Sequence, residues 1–158
     1  MSTKSSGNSA EQQVRTTADF QFGRGAGVAL FPAGCRFIRS KTRRVRQVTD
    51  GGQRIVTVRA RDGRFTLSIE GARRLARAIP PPAYRVEIAA EVTEFIARGK
   101  NAFARHVVAA DPGIRAGDEV IVVGAGDEVI ATGEAVLSGA EMLAFNYGVA
   151  VNVRKGGT

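Results

Sequence analysis

Three consecutive prolines, Pro80-Pro81-Pro82, divide the chain near its middle. A proline ring removes a backbone N–H and clashes with the preceding turn, so neither a helix nor a central strand can pass through this run. The 158 residues are enough for two small domains. The prolines therefore predict a linker over residues 80–83, with one domain at residues 14–79 and another at residues 84–156.

The net charge changes sign at the same place. Residues 1–83 contain 16 Lys and Arg against 5 Asp and Glu, a net charge of +11, whereas residues 84–158 contain 7 against 10, a net charge of −3. The whole chain carries +8. A basic half of this kind indicates a polyanionic partner and favours nucleic acid over a membrane surface. The alternative is that the positive charge serves only solubility.

The N-terminal half mixes helical and strand patterns. Residues 1–13 are rich in Ser, Gly and Gln and lack apolar periodicity, which predicts a disordered tail. Thr17 is expected to cap a short helix before Gly23-Arg24-Gly25-Ala26-Gly27, whose spacing fits no dinucleotide fingerprint and favours a turn or tight helix packing. Residues 36–69 contain two hairpin signals and predict an antiparallel meander, followed by a helix over Glu70–Ile79.

The C-terminal half begins with a strand, a helix and a glycine turn. Tyr84–Ile88 predicts the strand and Glu91–Arg98 the helix, which Gly99 would cap. Apolar alternation then predicts a single strand over Phe103–Val108. Further short strands follow, and the valines of residues 148–154 predict the last one.

The sequence offers no convincing catalytic constellation. It has one histidine, His106, and one cysteine, Cys35, so a Cys–His pair or a zinc site lacks ligands. Acids such as Asp118 and Asp127 lie at strand starts and turns, where solvated carboxylates are commoner than metal ligands. We therefore expect a protein that is not an enzyme and binds neither cofactor nor metal. The lone cysteine and the lack of a long apolar run predict a cytoplasmic location.

Two segments carry a resemblance to a known family: Gly99-Lys100-Asn101-Ala102-Phe103-Ala104-Arg105, and Met142-Leu143-Ala144-Phe145 with Gly148-Val149-Ala150-Val151. Residues 84–156 resemble a PUA domain, and residues 14–83 resemble the small domain before it in archaeal archaeosine tRNA-guanine transglycosylase. The resemblance leaves out that enzyme's catalytic barrel. It implies an α+β fold in which a small N-terminal α+β domain is followed by a PUA-like mixed β pseudo-barrel.

The resemblance also implies an RNA-binding groove. In PUA domains the turn after the first helix and the next strand form this groove with the last strand. Glycine and small residues would let backbone amides approach phosphates, and cations would neutralise them. By position, the groove residues are Gly99, Lys100, Asn101, Ala102 and Arg105, with Asn152 and Arg154 opposite.

A second candidate RNA contact lies on a predicted hairpin of the N-terminal half. Six cations occur within eleven residues with no acid between them, which favours contact with RNA. The alternative is that they form a solvated sheet edge that prevents aggregation through strand pairing. Few aromatic residues lie near these cations, which favours recognition of duplex backbone and shape over base stacking. The six cations are Arg36, Arg39, Lys41, Arg43, Arg44 and Arg46.

Together these features predict a non-catalytic RNA-binding protein. Its expected partner is tRNA or another structured RNA, and its expected role is to assist archaeosine modification of tRNA, with a separate transglycosylase chain or another RNA-modification protein as a further partner. No membrane partner is expected. The alternative is a protein-interaction or scaffold module of a ribosome-assembly or RNA-modification complex, in which the arginines are structural.

Overall fold

The structure, a computed structural model, describes residues 2–157, with side chains from Ser9 onward. The chain divides between Ile79 and Pro80 into two compact units. The elements of the first unit are α1 (Ser2–Phe22), α2 (Ala26–Leu30), β1 (Arg36–Arg39), β2 (Val45–Asp50), β3 (Gln53–Val58), β4 (Phe65–Leu67) and α3 (Ile69–Ala78).

Helix α1 begins at Ser2, so residues 2–13 of the tail predicted as disordered are helical, and Met1 of that tail lies outside the described residues. Ala10, Val14, Ala18 and Phe22 recur every four residues and are all buried, so they form one apolar stripe along the helix. Thr17 was wrongly predicted as an N-terminal cap. It lies within α1 and its hydroxyl donates to the Gln13 carbonyl one turn earlier, at 2.9 Å.

The glycine-rich segment after α1 serves close packing of two helices. A Cβ atom at Gly27 would lie 2.3 Å from the Arg15 carbonyl oxygen, so only glycine fits at this contact. Asp19 fixes the same contact, because its carboxylate accepts the Gly27 N–H at 2.7 Å. Of the two alternatives expected for this segment, a turn or tight helix packing, the contacts of Gly27 support tight helix packing.

The predicted meander is also confirmed. Strands β1 to β4 form an antiparallel sheet in chain order, and Val48, Val56 and Leu67 face one another across three of its strands. All three are buried. Helix α3 begins one residue earlier than expected, where the Ser68 hydroxyl accepts the Gly71 N–H at 3.0 Å.

The second unit contains a six-stranded sheet with short helices. Its strand order is β6-β10-β9-β8-β5-β7, and every pair is antiparallel except β5 with β8. The elements are β5 (Arg85–Ile88), a 3₁₀ turn (Ala90–Val92), α4 (Thr93–Ala97), β6 (Ala102–Phe103), a 3₁₀ turn (Ala104–His106), β7 (Val107–Ala110), β8 (Glu119–Val123), β9 (Val129–Ala135), α5 (Gly139–Ala144) and β10 (Val149–Gly156).

The prediction of a single strand over Phe103–Val108 is wrong, and the break within this stretch explains how the barrel closes. The 3₁₀ turn Ala104–His106 splits this stretch into β6, which pairs with β10, and β7, which pairs with β5. Strands β6 and β7 are the two edges of the sheet. Because only three residues join these edges, the sheet curls into a nearly closed pseudo-barrel.

Apolar side chains from every strand of this sheet meet in its interior, where Val86, Val120, Ala131 and Val151 are fully buried. Helix α5 begins with a complete capping box between Ser138 and Glu141. Within the described residues of both units, none of the helices combines the length and apolarity that a membrane span requires.

Candidate nucleic-acid interface

The six predicted cations of the first unit lie on β1, β2 and the turn between them; residues 36–46 are called the hairpin surface below. The turn is held by its own backbone. Ser40 N–H donates to the Arg44 carbonyl at 2.8 Å, and Arg43 N–H donates back to the Ser40 carbonyl at 2.9 Å. Arg43 adopts the left-handed conformation with φ of 67°. This conformation costs about 1 kcal/mol in a residue with a Cβ atom, a cost that the backbone hydrogen bonds of the turn offset.

The side chains of all six cations of the hairpin surface are exposed. Among the described residues, none of the six forms an ion pair with a carboxylate. The Arg39 guanidinium donates to the Arg43 carbonyl at 2.9 Å, which leaves its charge uncompensated. The hairpin surface therefore presents cations whose charge is available to an anionic ligand.

A groove of about 730 Å³ opens beside the hairpin surface. Hydroxyl groups of Ser40 and Thr42 line it together with four arginines, of which Arg59 and Arg61 were not among the predicted site residues. The sequence contained a signal for them. In an antiparallel meander the first and third turns lie at the same end of the sheet, so the β3–β4 turn had to meet the β1–β2 turn.

One acid lies in the same groove. Asp62 pairs with Arg59, whose Nη2 lies 2.7 Å from the carboxylate oxygen. Slight burial acts in the opposite direction, but the Arg64 N–H and the Arg59 guanidinium hold the pKa of Asp62 below its ordinary value. The carboxylate is therefore ionised at neutral pH and offsets part of the groove's positive charge.

In the second unit, the glycine turn at Gly99 closes the end of helix α4. Gly99 has φ of +101°, its N–H donates to the Ile96 carbonyl at 2.9 Å, and the Lys100 N–H donates to the Phe95 carbonyl at 3.1 Å. These two bonds are the Schellman pattern that places glycine after a helix. Lys100 is left exposed at the tip of the turn.

Strand β10 holds this turn from the other side. The Asn101 carboxamide oxygen accepts the Val153 N–H at 2.9 Å, and a Cβ atom at Gly156 would lie 2.1 Å from the Ala97 carbonyl oxygen. Ala102 is buried against the same strand. The structure thus brings the predicted turn and the predicted last strand together, with Asn101 and Ala102 engaged in that contact.

The two residues predicted opposite the turn differ in their surroundings. Asn152 is exposed on β10. Arg154 pairs instead with Glu119 of β8, with 3.0 Å between Nη1 and Oε1, and the Glu119 side chain has no exposed surface. The charge of Arg154 is therefore largely compensated before any ligand binds, a feature that the sequence gave no means of detecting.

Arg105 lies at the other end of β10. It follows β6, and the N–H of its neighbour Ala104 donates to the Gly148 carbonyl just before β10 begins, at 2.9 Å. Strand residues advance about 3.3 Å each, so six residues of β10 separate the levels of Arg105 and Arg154 by about 20 Å. The predicted groove residues are thus distributed along β10 instead of surrounding one point.

The histidine next to Arg105 is held in an unusual environment. The Arg105 Nε donates to His106 Nε2 at 3.4 Å, and His106 Nδ1 is buried without a hydrogen-bond partner among the described residues. Burial and the Arg105 guanidinium lower the pKa of His106, while Glu91 acts in the opposite direction. The imidazole is therefore neutral at pH 7. No group of three metal-binding side chains occurs in the described part of the chain.

Comparisons with known proteins match both units. Residues 12–82 match the patch-forming domain C2 of tRNA-guanine transglycosylase, and residues 84–157 match the PUA domain. The chain is 46% identical over 147 residues to a tRNA-guanine(15) transglycosylase of Pyrococcus abyssi, which covers 93% of this chain and 25% of that protein. The corresponding enzyme of Methanothermobacter thermautotrophicus is 45% identical over 146 residues, covering 92% and 22%. The chain thus spans about a quarter of the length of these relatives.

Solved structures support the same fold. A hypothetical protein from Pyrococcus horikoshii superimposes with a TM-score of 0.73 at 20% identity, covering 92% of this chain and 89% of that one. A conserved PUA domain protein from Thermoplasma acidophilum gives 0.66 at 20% identity, covering 95% and 89%. The chain is a PUA-domain protein whose two units resemble the C-terminal part of archaeal tRNA-guanine(15) transglycosylase.

Proposed function

We propose that this protein is a non-catalytic RNA-binding module that holds tRNA, or another RNA of similar structure, during archaeosine modification. The observation that carries the proposal is the hairpin surface, where six exposed cations that have no carboxylate partner among the described residues lie beside a groove lined by further arginines. A surface of uncompensated guanidinium groups gains free energy from RNA phosphates mainly by releasing bound counterions.

The relatives suggest which RNA is held. The proteins that match at about 46% identity are named tRNA-guanine(15) transglycosylases, which act on tRNA. We propose that a transglycosylase on a separate chain is the protein partner, and that the present chain contributes RNA affinity and leaves the chemistry to that partner.

In this proposal the two units contribute differently. The first unit supplies most of the electrostatic attraction, since its net charge is strongly positive whereas that of the second is slightly negative. The turn at Lys100 and the exposed face of β10 then position the RNA through fewer contacts. Phosphate contacts from either unit fix the orientation of the RNA but do not distinguish one base sequence from another.

Salt dependence tests the proposal directly. Neutralising about six phosphates of a duplex gives a slope of about −5 in a plot of log affinity against log salt concentration. We expect a filter-binding titration with unmodified archaeal tRNA to give that slope and submicromolar affinity at low salt. Weak binding that does not change between about 50 and 200 mM salt, a fourfold range of concentration, would overturn the proposal.

A scaffold or protein-interaction module is the second candidate. It is favoured by apolar side chains exposed on the second unit, including Val108 and Leu143, each 54% exposed. Purification from cells separates the two candidates. RNA that is released by nuclease supports the first, whereas a stoichiometric protein that stays bound after nuclease treatment supports the second.

A further inference from the structure

The antiparallel sheet of the first unit has two edge strands, and only one of them is closed. At the β4 edge, the Gln21 carboxamide bonds both backbone groups of Phe65. Its oxygen accepts the Phe65 N–H at 2.8 Å, and its nitrogen donates to the Phe65 carbonyl at 3.0 Å. Helix α1 thus covers this edge as a paired strand would. Strand β1 is the other edge, and among the described residues its backbone pairs only with β2.

The hydrogen bonds of the β1–β2 turn show which backbone groups of β1 are open. The Ser40 N–H donates to the Arg44 carbonyl at 2.8 Å, so the backbone groups of Ser40 point toward β2. Backbone groups of successive strand residues point to alternate sides. The N–H and C=O groups of Phe37 and Arg39 therefore point away from β2, to the side where a further strand would pair.

A groove lies beside this open edge. Ile38 faces Gln47, and Gln47 faces Thr57, across three strands. This row is one position along from the buried row that contains Val48, so its side chains lie on the opposite face of the sheet. Ile38 is 47% exposed there. The row lines a groove of about 380 Å³ together with three cations, Arg39, Lys41 and Arg46.

We propose that β1 accepts an extended acidic segment of a partner protein as a fifth strand of this sheet. The segment runs antiparallel to β1. Its acidic side chains lie opposite Arg36 and Arg39, and an apolar side chain lies opposite Ile38 in the groove. Main-chain hydrogen bonds supply the affinity in this mode of recognition, and side chains supply the specificity. Opposite charges that face each other across a strand pair stabilise it.

The chemistry of the open edge favours a peptide over RNA. Phe37 and Arg39 each present a carbonyl as well as an N–H to the open side, and phosphate oxygens have no proton to donate to a carbonyl. A peptide backbone offers one donor and one acceptor per residue at the matching spacing. The inference thus adds a protein ligand to the proposed RNA-binding function.

A second copy of this chain fits the edge poorly. Two antiparallel β1 strands would place Arg36 of one copy opposite Arg39 of the other. Like charges that face each other directly destabilise a strand pair. The complementary partner is therefore an acidic segment and not another β1 strand.

The test uses a synthetic peptide of about six residues, a common strand length. Its centre is glutamate, valine, threonine and glutamate, placed in this order opposite Arg39, Ile38, Phe37 and Arg36. Fluorescence anisotropy of the labelled peptide measures its affinity for the whole protein at low salt. We expect binding that a peptide of the same length with glutamine in place of both glutamates lacks.

Two N-methylated forms of this peptide separate strand pairing from charge attraction. Methyl groups on the amides opposite Phe37 and Arg39 block the hydrogen bonds to β1 and should weaken binding by about tenfold or more. Methyl groups on the amides opposite Arg36 and Ile38 point away from β1 and should leave the affinity unchanged. If both forms bind like the unmodified peptide, it only replaces RNA phosphates on a cationic surface, and the proposal is wrong. Absence of any peptide binding also overturns it.

A matched pair of protein variants tests the same edge from the other side. Arg39→Ala and Arg39→Pro remove the same charge, but only proline also removes an N–H that points to the open side. Proline is tolerated on edge strands at such positions, so both variants should fold, which thermal melting checks. We expect Arg39→Pro to bind the peptide about 2- to 12-fold more weakly than Arg39→Ala, the loss of one hydrogen bond. Equal affinities of two folded variants would show that the β1 backbone does not bind the peptide.

The outcomes for peptide and RNA are distinguishable. Arg36 and Arg39 belong to both proposed contacts, so saturating peptide should lower the log–log salt slope for tRNA by about 2. If tRNA binds in a salt-dependent way but both N-methylated peptides bind equally, strand pairing fails and the RNA-binding function stands. If the N-methylated peptides differ as expected and tRNA does not bind, the RNA-binding function fails and the peptide site on β1 stands.

Discussion

The guanidinium of Arg154 pairs with the carboxylate of Glu119, with 3.0 Å between Nη1 and Oε1, across the strand that separates β10 from β8. The Glu119 side chain is completely buried while that of Arg154 is 37% exposed. A buried carboxylate needs its cation, because an uncompensated charge in the interior costs several kcal/mol. This pair gives a residue predicted to bind RNA a clear structural role.

We therefore predict that Arg154→Ala lowers the free energy of unfolding of the protein by about 3 kcal/mol, since it leaves Glu119 buried without its partner. Urea denaturation measures the effect. The double variant Arg154→Ala with Glu119→Gln should recover part of the loss, because it removes the orphaned charge as well. A variant as stable as the wild type with weakened RNA binding would show that Arg154 acts on RNA instead.

The charge distribution makes a second prediction about RNA affinity. Substituting Arg43, Arg44 and Arg46 by serine should reduce the log–log salt slope for tRNA by about 3, since each lost phosphate contact reduces it by about 1. The pair Lys100→Ala with Arg105→Ala should reduce it by less. Arg105 already contacts the Phe103 ring and His106, which leaves Lys100 as the freer charge of the two.

A charge-matched control completes this comparison. Arg24, in the turn between α1 and α2, and Arg73 and Arg77, on α3, are also exposed in the first unit. Their simultaneous change to serine removes the same net charge, so its effect measures the general loss of attraction. If this control weakens binding as much as the hairpin triple does, the hairpin surface is not a site and total charge alone governs affinity.

Local sequence patterns predicted the individual helices and strands better than they predicted which of these elements pack together. The meander followed from its two turns, whereas Phe103–Val108 alternates like one strand, and only closure of the barrel reveals the 3₁₀ turn within it. The four-residue spacing of Ala10, Val14 and Ala18 was present in the sequence but hidden among polar residues. The Arg154–Glu119 pair spans 35 residues and depends on the registers of three strands.

A third prediction concerns the acid within the groove of the first unit. Asp62→Asn should raise RNA affinity by about two- to fivefold at low salt, because it removes the negative charge of this acid from the groove while keeping an oxygen that can accept the Arg64 N–H. The cost in folding stability should stay below about 1 kcal/mol, since the ion pair is partly exposed. Binding titrations at about 50 and 200 mM salt measure the change in affinity, since phosphate contacts weaken between these two concentrations.

The matched control for Asp62 is Glu128→Gln in the second unit. Glu128 also accepts a backbone N–H two residues away, that of Gly126, at 3.0 Å, and it is exposed. It does not line the groove of the first unit. Equal gains in affinity from the two variants would mean that net charge, and not the groove, determines binding.

The last prediction concerns pH. His106 is the only histidine of the chain, and burial with the neighbouring Arg105 guanidinium lowers its pKa in the folded state. The unfolded chain therefore binds the proton more readily than the folded one, so the free energy of unfolding should fall as the pH drops below about 6.5, the ordinary pKa of histidine. The loss should level off once the pH is below the pKa of the folded state. Urea denaturation between pH 7.5 and pH 5, about the range in which only histidine titrates, measures this fall in stability.

In His106→Gln the same range should leave the stability nearly constant, because no other side chain ordinarily titrates there. Parallel curves for the two proteins would show that His106 is equally easy to protonate in the folded and unfolded states.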